Sequence, residues 1–255
     1  MIAYLNGEYV DTTRTGISVT DRGFTLGDGV FETLYYNGCE IECLNPHFDR
    51  LSKGADLFRI SFNLVLPEFK DTLLKVIEFN RLEGQGASLR FTLTRGPAER
   101  GLALPKKVTP TILVTVQPYE RRSQLLRVGF SQYCFQQPTV LCGIKHLGYQ
   151  LHLLGRLEAE QRNLDDVLFF NGAGYLVCAT AANVFILKGG VLITPPLSDG
   201  CLPGVMRGKL LQEMHKSKTP VRIDHITRQD VEHSERLFFT NSLIGSMPAI
   251  IDHRL

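Results

Sequence analysis

Lys145 stands in an apolar run, with Leu141, Cys142, Gly143 and Ile144 before it and Leu147 after it. A lysine amine attacks an aldehyde only when it is accessible and not fully protonated, and an apolar setting lowers its pKa toward that state. Lysines are mostly exposed, so this one gains meaning only beside a second signal. That signal is Gly200-Cys201-Leu202-Pro203-Gly204-Val205-Met206-Arg207, a glycine- and proline-marked turn that opens a helix. Gly204, Val205 and Met206 would present backbone N–H groups at the helix N-terminus, a natural phosphate seat. A plain turn with a glycine at positive φ uses the same residues.

An amine for an aldehyde and a seat for a phosphate suit a ligand that carries both groups, and pyridoxal 5'-phosphate (PLP) is such a ligand. Arg50, on a predicted helix, could add a bidentate phosphate contact, though a solvated helix arginine is the plainer reading. Ser242, after a predicted strand, could add a hydroxyl. Gly27-Asp28-Gly29 is too short for a dinucleotide fingerprint. A net charge of +2 with no basic run beyond pairs such as Lys106-Lys107 gives no case for nucleic acid. No apolar run approaches the roughly 18 residues of a membrane span. Met1 to Gly7 lacks the basic-then-apolar pattern of a secretory signal, so the expected location is the cytosol. The six cysteines form no C-x-x-C pair, so neither a metal site nor a disulfide framework is expected, and most should be small buried hydrophobes.

A chain of 255 residues suits one large or two medium domains. Alternation in Ala3 to Val10 predicts a hairpin turning at Asn6-Gly7. Pro46 opens a helix with Phe48, Leu51, Ala55 and Phe58 in step, and a second starts near Pro67 with Phe69, Leu73, Val76 and Ile77 inward. Strands are predicted over 88–95, 111–116, 126–130, 166–170, 183–187, 191–194 and 236–239. Helices are predicted over 147–163, with Leu147, Leu151, Leu154 and Ala159 inward, and from Pro203-Gly204 to about Lys216. The mixture predicts an α+β or α/β fold in two sheet-based halves. The expected division is a smaller N-terminal α+β domain over 1–117, a linker over 118–123 and a larger C-terminal domain over 124–255.

In this order the chain resembles the fold-type IV PLP enzymes, which include branched-chain and D-amino-acid aminotransferases and aminodeoxychorismate lyase. The resemblance rests on Asp21 to Thr33, His47-Phe48-Asp49-Arg50-Leu51, Thr94-Arg95-Gly96 with Arg100-Gly101, Lys145, Ala182-Asn183-Val184-Phe185, Leu202 to Arg207, and Thr240-Asn241-Ser242 with Pro248. It covers nearly the whole chain. Gly143-Ile144-Lys145-His146-Leu147 and Ala181-Ala182-Asn183 look most like aminodeoxychorismate lyase. The Arg-x-His motif with which D-amino-acid aminotransferases take a substrate carboxylate has no match between Arg95 and Arg100.

The resemblance implies a two-domain α+β fold with the cofactor in the interdomain cleft, a homodimer, and a small amine substrate. Lys145 would be the Schiff-base lysine and catalytic base, with Thr33 near a departing pyruvate. Arg50, the backbone N–H groups of Val205 and Met206, and Ser242 would hold the phosphate. The implied reaction is conversion of 4-amino-4-deoxychorismate to 4-aminobenzoate and pyruvate, in folate synthesis. A branched-chain or D-amino-acid aminotransferase is the alternative. The family glutamate that bonds the pyridine nitrogen, five residues before the asparagine matching Asn183, is here Cys178. A carboxylate keeps that nitrogen protonated, and a neutral thiol supplies no such charge. Cys178 therefore also admits a non-catalytic protein on the same fold. Gly148 and Tyr149 depart from the family near the ring as well.

Overall fold

The computed structural model describes residues 1–135 and 139–252. The chain divides into two compact units, one of Met1–Arg121 with Ile144–Gly148, the other of Arg122–Gly143 with Tyr149–Leu255. The change of unit thus falls at Arg121–Arg122. The short segment that carries Lys145 belongs with the first unit, rather than with the C-terminal half where the sequence places it.

In the first unit, β1 (Ile2–Leu5) and β2 (Glu8–Asp11) form the expected hairpin, with Asn6 and Gly7 both at positive φ. They are followed by α1 (Arg22–Leu26), β3 (Gly29–Asn37), α2 (Leu44–Phe58), α3 (Leu66–Phe79), β4 (Gly86–Thr94) and β5 (Thr111–Pro118). The strands form an antiparallel sheet in the order β2-β1-β5-β4-β3. One face of that sheet, through Leu34, Leu89, Phe91, Leu93 and Val114, packs on Leu51 and Ala55 of α2 and on Phe69, Leu73 and Val76 of α3. The inward helix positions read from the sequence are all buried in α3, with Thr72 beside them.

The second unit holds β6 (Leu126–Phe135), α4 (Gln150–Gln161), β7 (Asp166–Asn171), β8 (Leu176–Ala179), β9 (Asn183–Lys188), β10 (Val191–Thr194), α5 (Val205–Lys216), β11 (Val221–Ile223), α6 (Arg228–Glu232), β12 (Arg236–Asn241) and β13 (Gly245–Ile251). Among the described residues its strands form a mixed sheet ordered β11-β10-β9-β12-β13-β6-β7-β8. The mixture of helices and sheets is α+β, as expected.

Two expectations need correction. The helix predicted from Leu147 begins at Gln150, because Lys145 and Leu147 give their backbone groups to β3 instead: Phe31 N–H donates to Lys145 O (2.9 Å) and Leu147 N–H to Gly29 O (3.0 Å). Its buried face is Gly155, Glu158 and Ala159, and Leu154 is exposed. A Cβ on Gly155 would meet the Phe169 ring at 2.3 Å, so the helix lies too close to β7 for a side chain there. The cysteines are also less buried than expected. Cys178 and Cys201 are buried, Cys43 and Cys142 half-buried, and Cys39 and Cys134 exposed. No helix among the described residues is long and apolar enough to cross a membrane.

Candidate active site

The turn that leads into β3 is fixed from both sides. Asp28 accepts from Arg22 Nε (2.8 Å) and from Arg95 Nε and Nη2 (2.7 and 3.0 Å), and both arginines are buried. Asp21 caps α1 through Gly23 N–H and accepts from the hydroxyls of Thr94 and Thr111. This network sets where β3 starts, and so where its side chains fall. The Lys145 segment then pairs with β3 through a Val30–His146 bridge. Lys145 is half-buried, and its Nζ sits 4.4 Å from the centroid of the Phe31 ring.

Alternation along β3 sends Phe31 and Thr33 to one face and Glu32 to the other. Glu32 is fully buried and accepts from Arg50 Nε and Nη2 (2.7 Å each) and from His47 Nδ1 (2.7 Å), both on α2. Burial alone would push its carboxyl up, but Arg50 and His47 overcome that and hold it at about 2. Lys145 moves the other way. Burial lowers its amine to about 7, helped by the positive charges of Arg50 and Arg90 and opposed by Glu32. The site therefore holds a lysine with a large unprotonated fraction near neutral pH, as an amine nucleophile or proton acceptor requires.

In the second unit, Gly204 caps α5 without any side-chain bond, so the first-turn N–H groups of Val205 and Met206 lack intrahelical acceptors. Asn183 fixes the turn in front of them, donating from Nδ2 to Leu202 O (2.9 Å). Its Oδ1 lies 1.8 Å from where a Cβ on Gly204 would stand, so any side chain there displaces Asn183. Thr240 is paired with Asn183 across β9 and β12. Thr240 Oγ1 and Arg207 Nε are buried with no partner among the described residues. Ser242 follows β12, in the turn that Asn241 Oδ1 ties down by accepting from the N–H groups of Leu243 and Ile244. Backbone donors at a helix N-terminus, with unpartnered donors close by in the fold, suit an anionic group such as a phosphate.

Cys178 lies on β8, opposite Phe169, buried in the cluster that includes Val167 and Cys201. Burial pushes its thiol well above the usual range, so it is neutral. Of the residues singled out from the sequence, the first unit carries Lys145, Thr33 and Arg50, with the charge of Arg50 felt at Lys145. The second carries Cys178, Val205, Met206 and Ser242. Glu32, His47, Phe31, Asn183 and Thr240 were quoted only as parts of motifs, with no role of their own. The cue for Glu32 and His47 was available: an acidic residue inside an apolar strand needs a buried partner.

Residues 29–250 match the amino-transferase class IV family over most of the chain. This protein belongs to that family. A Methanocaldococcus jannaschii protein provisionally named branched-chain-amino-acid aminotransferase is 29% identical, over 100% of this chain and 89% of its own length. The D-alanine aminotransferase of Staphylococcus aureus is 24% identical, over 97% and 87%. A Legionella pneumophila structure, provisionally named 4-amino-4-deoxychorismate lyase, superposes with a TM-score of 0.87 at 26% identity, covering 95% of this chain and 90% of that one. The class IV aminotransferases work with PLP, and the residues here fit it: an amine of lowered pKa for the aldehyde, and a donor-rich helix start for the phosphate. The names of the relatives divide between transamination and elimination.

Proposed function

We propose that this class IV enzyme is a PLP-dependent lyase that converts 4-amino-4-deoxychorismate to 4-aminobenzoate and pyruvate. The observation that carries the reading is Cys178, a buried neutral thiol where the family has a carboxylate. The bound cofactor supplies an electron sink for the pair left when a bond to the amine-bearing carbon breaks. Without a carboxylate at Cys178 that sink is weaker, and a substrate that becomes aromatic as it reacts needs it less. The lyase-like Lys145-His146-Leu147 run agrees with this choice.

Lys145 Nζ takes the proton from the amine-bearing ring carbon. The ring then expels the enolpyruvyl oxygen, and a proton returns to the methylene carbon of the departing group, giving pyruvate with no co-reactant. Thr33, on the Phe31 face of β3, helps deliver that proton. Arg50, fixed by Glu32, and the Val205, Met206 and Ser242 donors hold the phosphate. The enzyme acts as a cytosolic homodimer.

The test is pyruvate release from 4-amino-4-deoxychorismate without any added 2-oxo acid. Release that Lys145→Ala abolishes supports the lyase. Turnover of branched-chain or D-amino acids only when a 2-oxo acid is supplied supports the second reading, an aminotransferase, which the names of the M. jannaschii and S. aureus relatives favour. Uptake of PLP with neither activity would leave a non-catalytic carrier.

A further inference from the structure

Asp199 closes the short 3-10 turn Leu197–Asp199 in the second unit, ahead of the Gly204 cap of α5, and is only 3% exposed. His225 Nδ1 lies 2.8 and 2.9 Å from the two oxygens of its carboxylate. Neither residue takes part in the reaction above. We propose that His225 is a positioning residue for the cofactor phosphate: by holding Asp199, it fixes the turn that leads into α5. The proposal rests on the phosphate seat described above and adds the residue that sets its approach.

A carboxylate only accepts, so Nδ1 carries the hydrogen and donates to both oxygens. Among the described residues no other group donates to that buried carboxylate. His225 is the fixed side of the bond. Asp224 N–H donates to Thr194 O on β10 (3.1 Å), and Ile226 O accepts from Leu176 N–H on β8 (2.7 Å), so both chain neighbours of His225 are tied to strands. Its ring stacks on Tyr175, with centroids 4.3 Å apart and planes 22° from parallel. Asn171 closes the frame, accepting from Tyr175 N–H at Oδ1 (3.0 Å) and donating from Nδ2 to Asp199 O (3.2 Å).

From that frame the chain has little freedom before it reaches the seat. Gly200 takes φ 105 and returns its N–H to Leu197 O, Leu202 O is held by Asn183, and α5 begins after Gly204. At the other end of the turn, Pro195 O accepts from Arg207 Nη2 on α5 (2.9 Å). Without His225 a buried carboxylate has no donor, and the cost of that state turns Asp199 toward water. The turn moves with it, and the N–H groups of Val205 and Met206 lose their aim.

The full chain, freed of cofactor, is titrated by fluorescence with PLP and with pyridoxal, which lacks the phosphate. The variants are His225→Phe, His225→Asn, Asp199→Ala and the pair His225→Phe with Asp199→Ala. Phenylalanine keeps a ring on Tyr175 and removes the donor, whereas asparagine restores an N–H near Nδ1. Wild type should prefer PLP, and His225→Phe should bind PLP about tenfold more weakly with pyridoxal unchanged. His225→Asn should recover most of that loss, and the double variant should lose no more than Asp199→Ala alone. Unchanged PLP affinity in a folded His225→Phe overturns the proposal. So does an equal loss for both ligands, which marks general damage, and so do additive losses in the double variant. If His225→Phe does not fold, Asp199→Ala, which strands no carboxylate, decides the question by the same comparison. A wild type that binds both ligands alike refutes the seat itself, a failure visible before any variant is compared.

Discussion

Glu32 and Arg50 meet through two parallel bonds of 2.7 Å, and His47 adds a third to the same buried carboxylate. Replacing Glu32 by Gln leaves a guanidinium and an imidazole beside a group that no longer neutralises them. Breaking a buried pair from one side costs about 3–5 kcal/mol. Glu32→Gln should lose stability of that order in urea denaturation at neutral pH. The pH dependence has a definite sign. A carboxyl held at about 2 against an ordinary 4.5 stabilises the fold fully above 4.5, and this contribution fades as pH falls toward 2. The variant should lack that part of the acid slope. An unchanged slope would mean that the pairing contributes nothing to the fold.

Lys145 should react like no other lysine in the chain. With its amine at about 7, its acetylation by a brief pulse of acetic anhydride should reach half its maximum near neutral pH before cofactor is added. Ordinary lysines reach that midpoint only at about pH 10. Peptide mapping across the pH series reads this directly. Arg90→Gln removes a nearby positive charge and should move the midpoint up, whereas Glu32→Gln removes a negative one and should move it down. A wild-type midpoint near 10 would remove the basis for treating Lys145 as the reactive amine.

Much of this was legible in the chain itself. The Asn6-Gly7 hairpin, the inward face of α3 and the start of α5 after Gly204 follow from local turn chemistry and periodicity. β3 was not, because both of its faces are largely buried and the alternation that marks a half-exposed strand is missing. β8 is hidden for the same reason, with all four residues buried. The Lys145 segment reads as the start of a helix, and only pairing with a strand more than a hundred residues earlier gives its backbone another use. That Arg90 lies near Lys145 was not legible for a related reason. Nothing local links it to Lys145, and the Phe31 ring joins them only once β3, β4 and the Lys145 segment lie side by side.

Cys178→Glu tests the weak point of the chemistry. A bond from a charged group is worth about 1.5–3 kcal/mol, and about 1.4 kcal/mol off a barrier is a factor of ten in rate. Restoring the carboxylate should therefore raise transamination on the order of ten- to a hundredfold, and the lyase reaction by less. Cys178 is buried, so the variant's melting temperature and PLP content must be measured beside its rates. Turnover unchanged in both reactions, in a folded and loaded variant, would end the electron-sink explanation.

Gly204 and Gly208 stand one helical turn apart, and their replacement by alanine should have opposite effects. A Cβ at Gly208 meets nothing within 4 Å, and alanine inside a helix is favoured over glycine by about 1 kcal/mol, so Gly208→Ala should stabilise the protein slightly. A Cβ at Gly204 would stand 1.8 Å from Asn183 Oδ1 and 3.0 Å from its Cγ. Backbone strain is not the cause, because φ at Gly204 is −65, a value any residue adopts. The side chain of Asn183 must give way, and with it the bond from Nδ2 to Leu202 O that holds the turn before Val205 and Met206. Gly204→Ala should lower the melting temperature and weaken PLP binding well beyond the loss of stability, while Gly208→Ala keeps wild-type affinity. Fluorescence titration with PLP and with pyridoxal, which lacks the phosphate, completes the test. If the loss at Gly204→Ala is confined to PLP, the turn seats the phosphate; equal loss for both ligands would move the phosphate elsewhere.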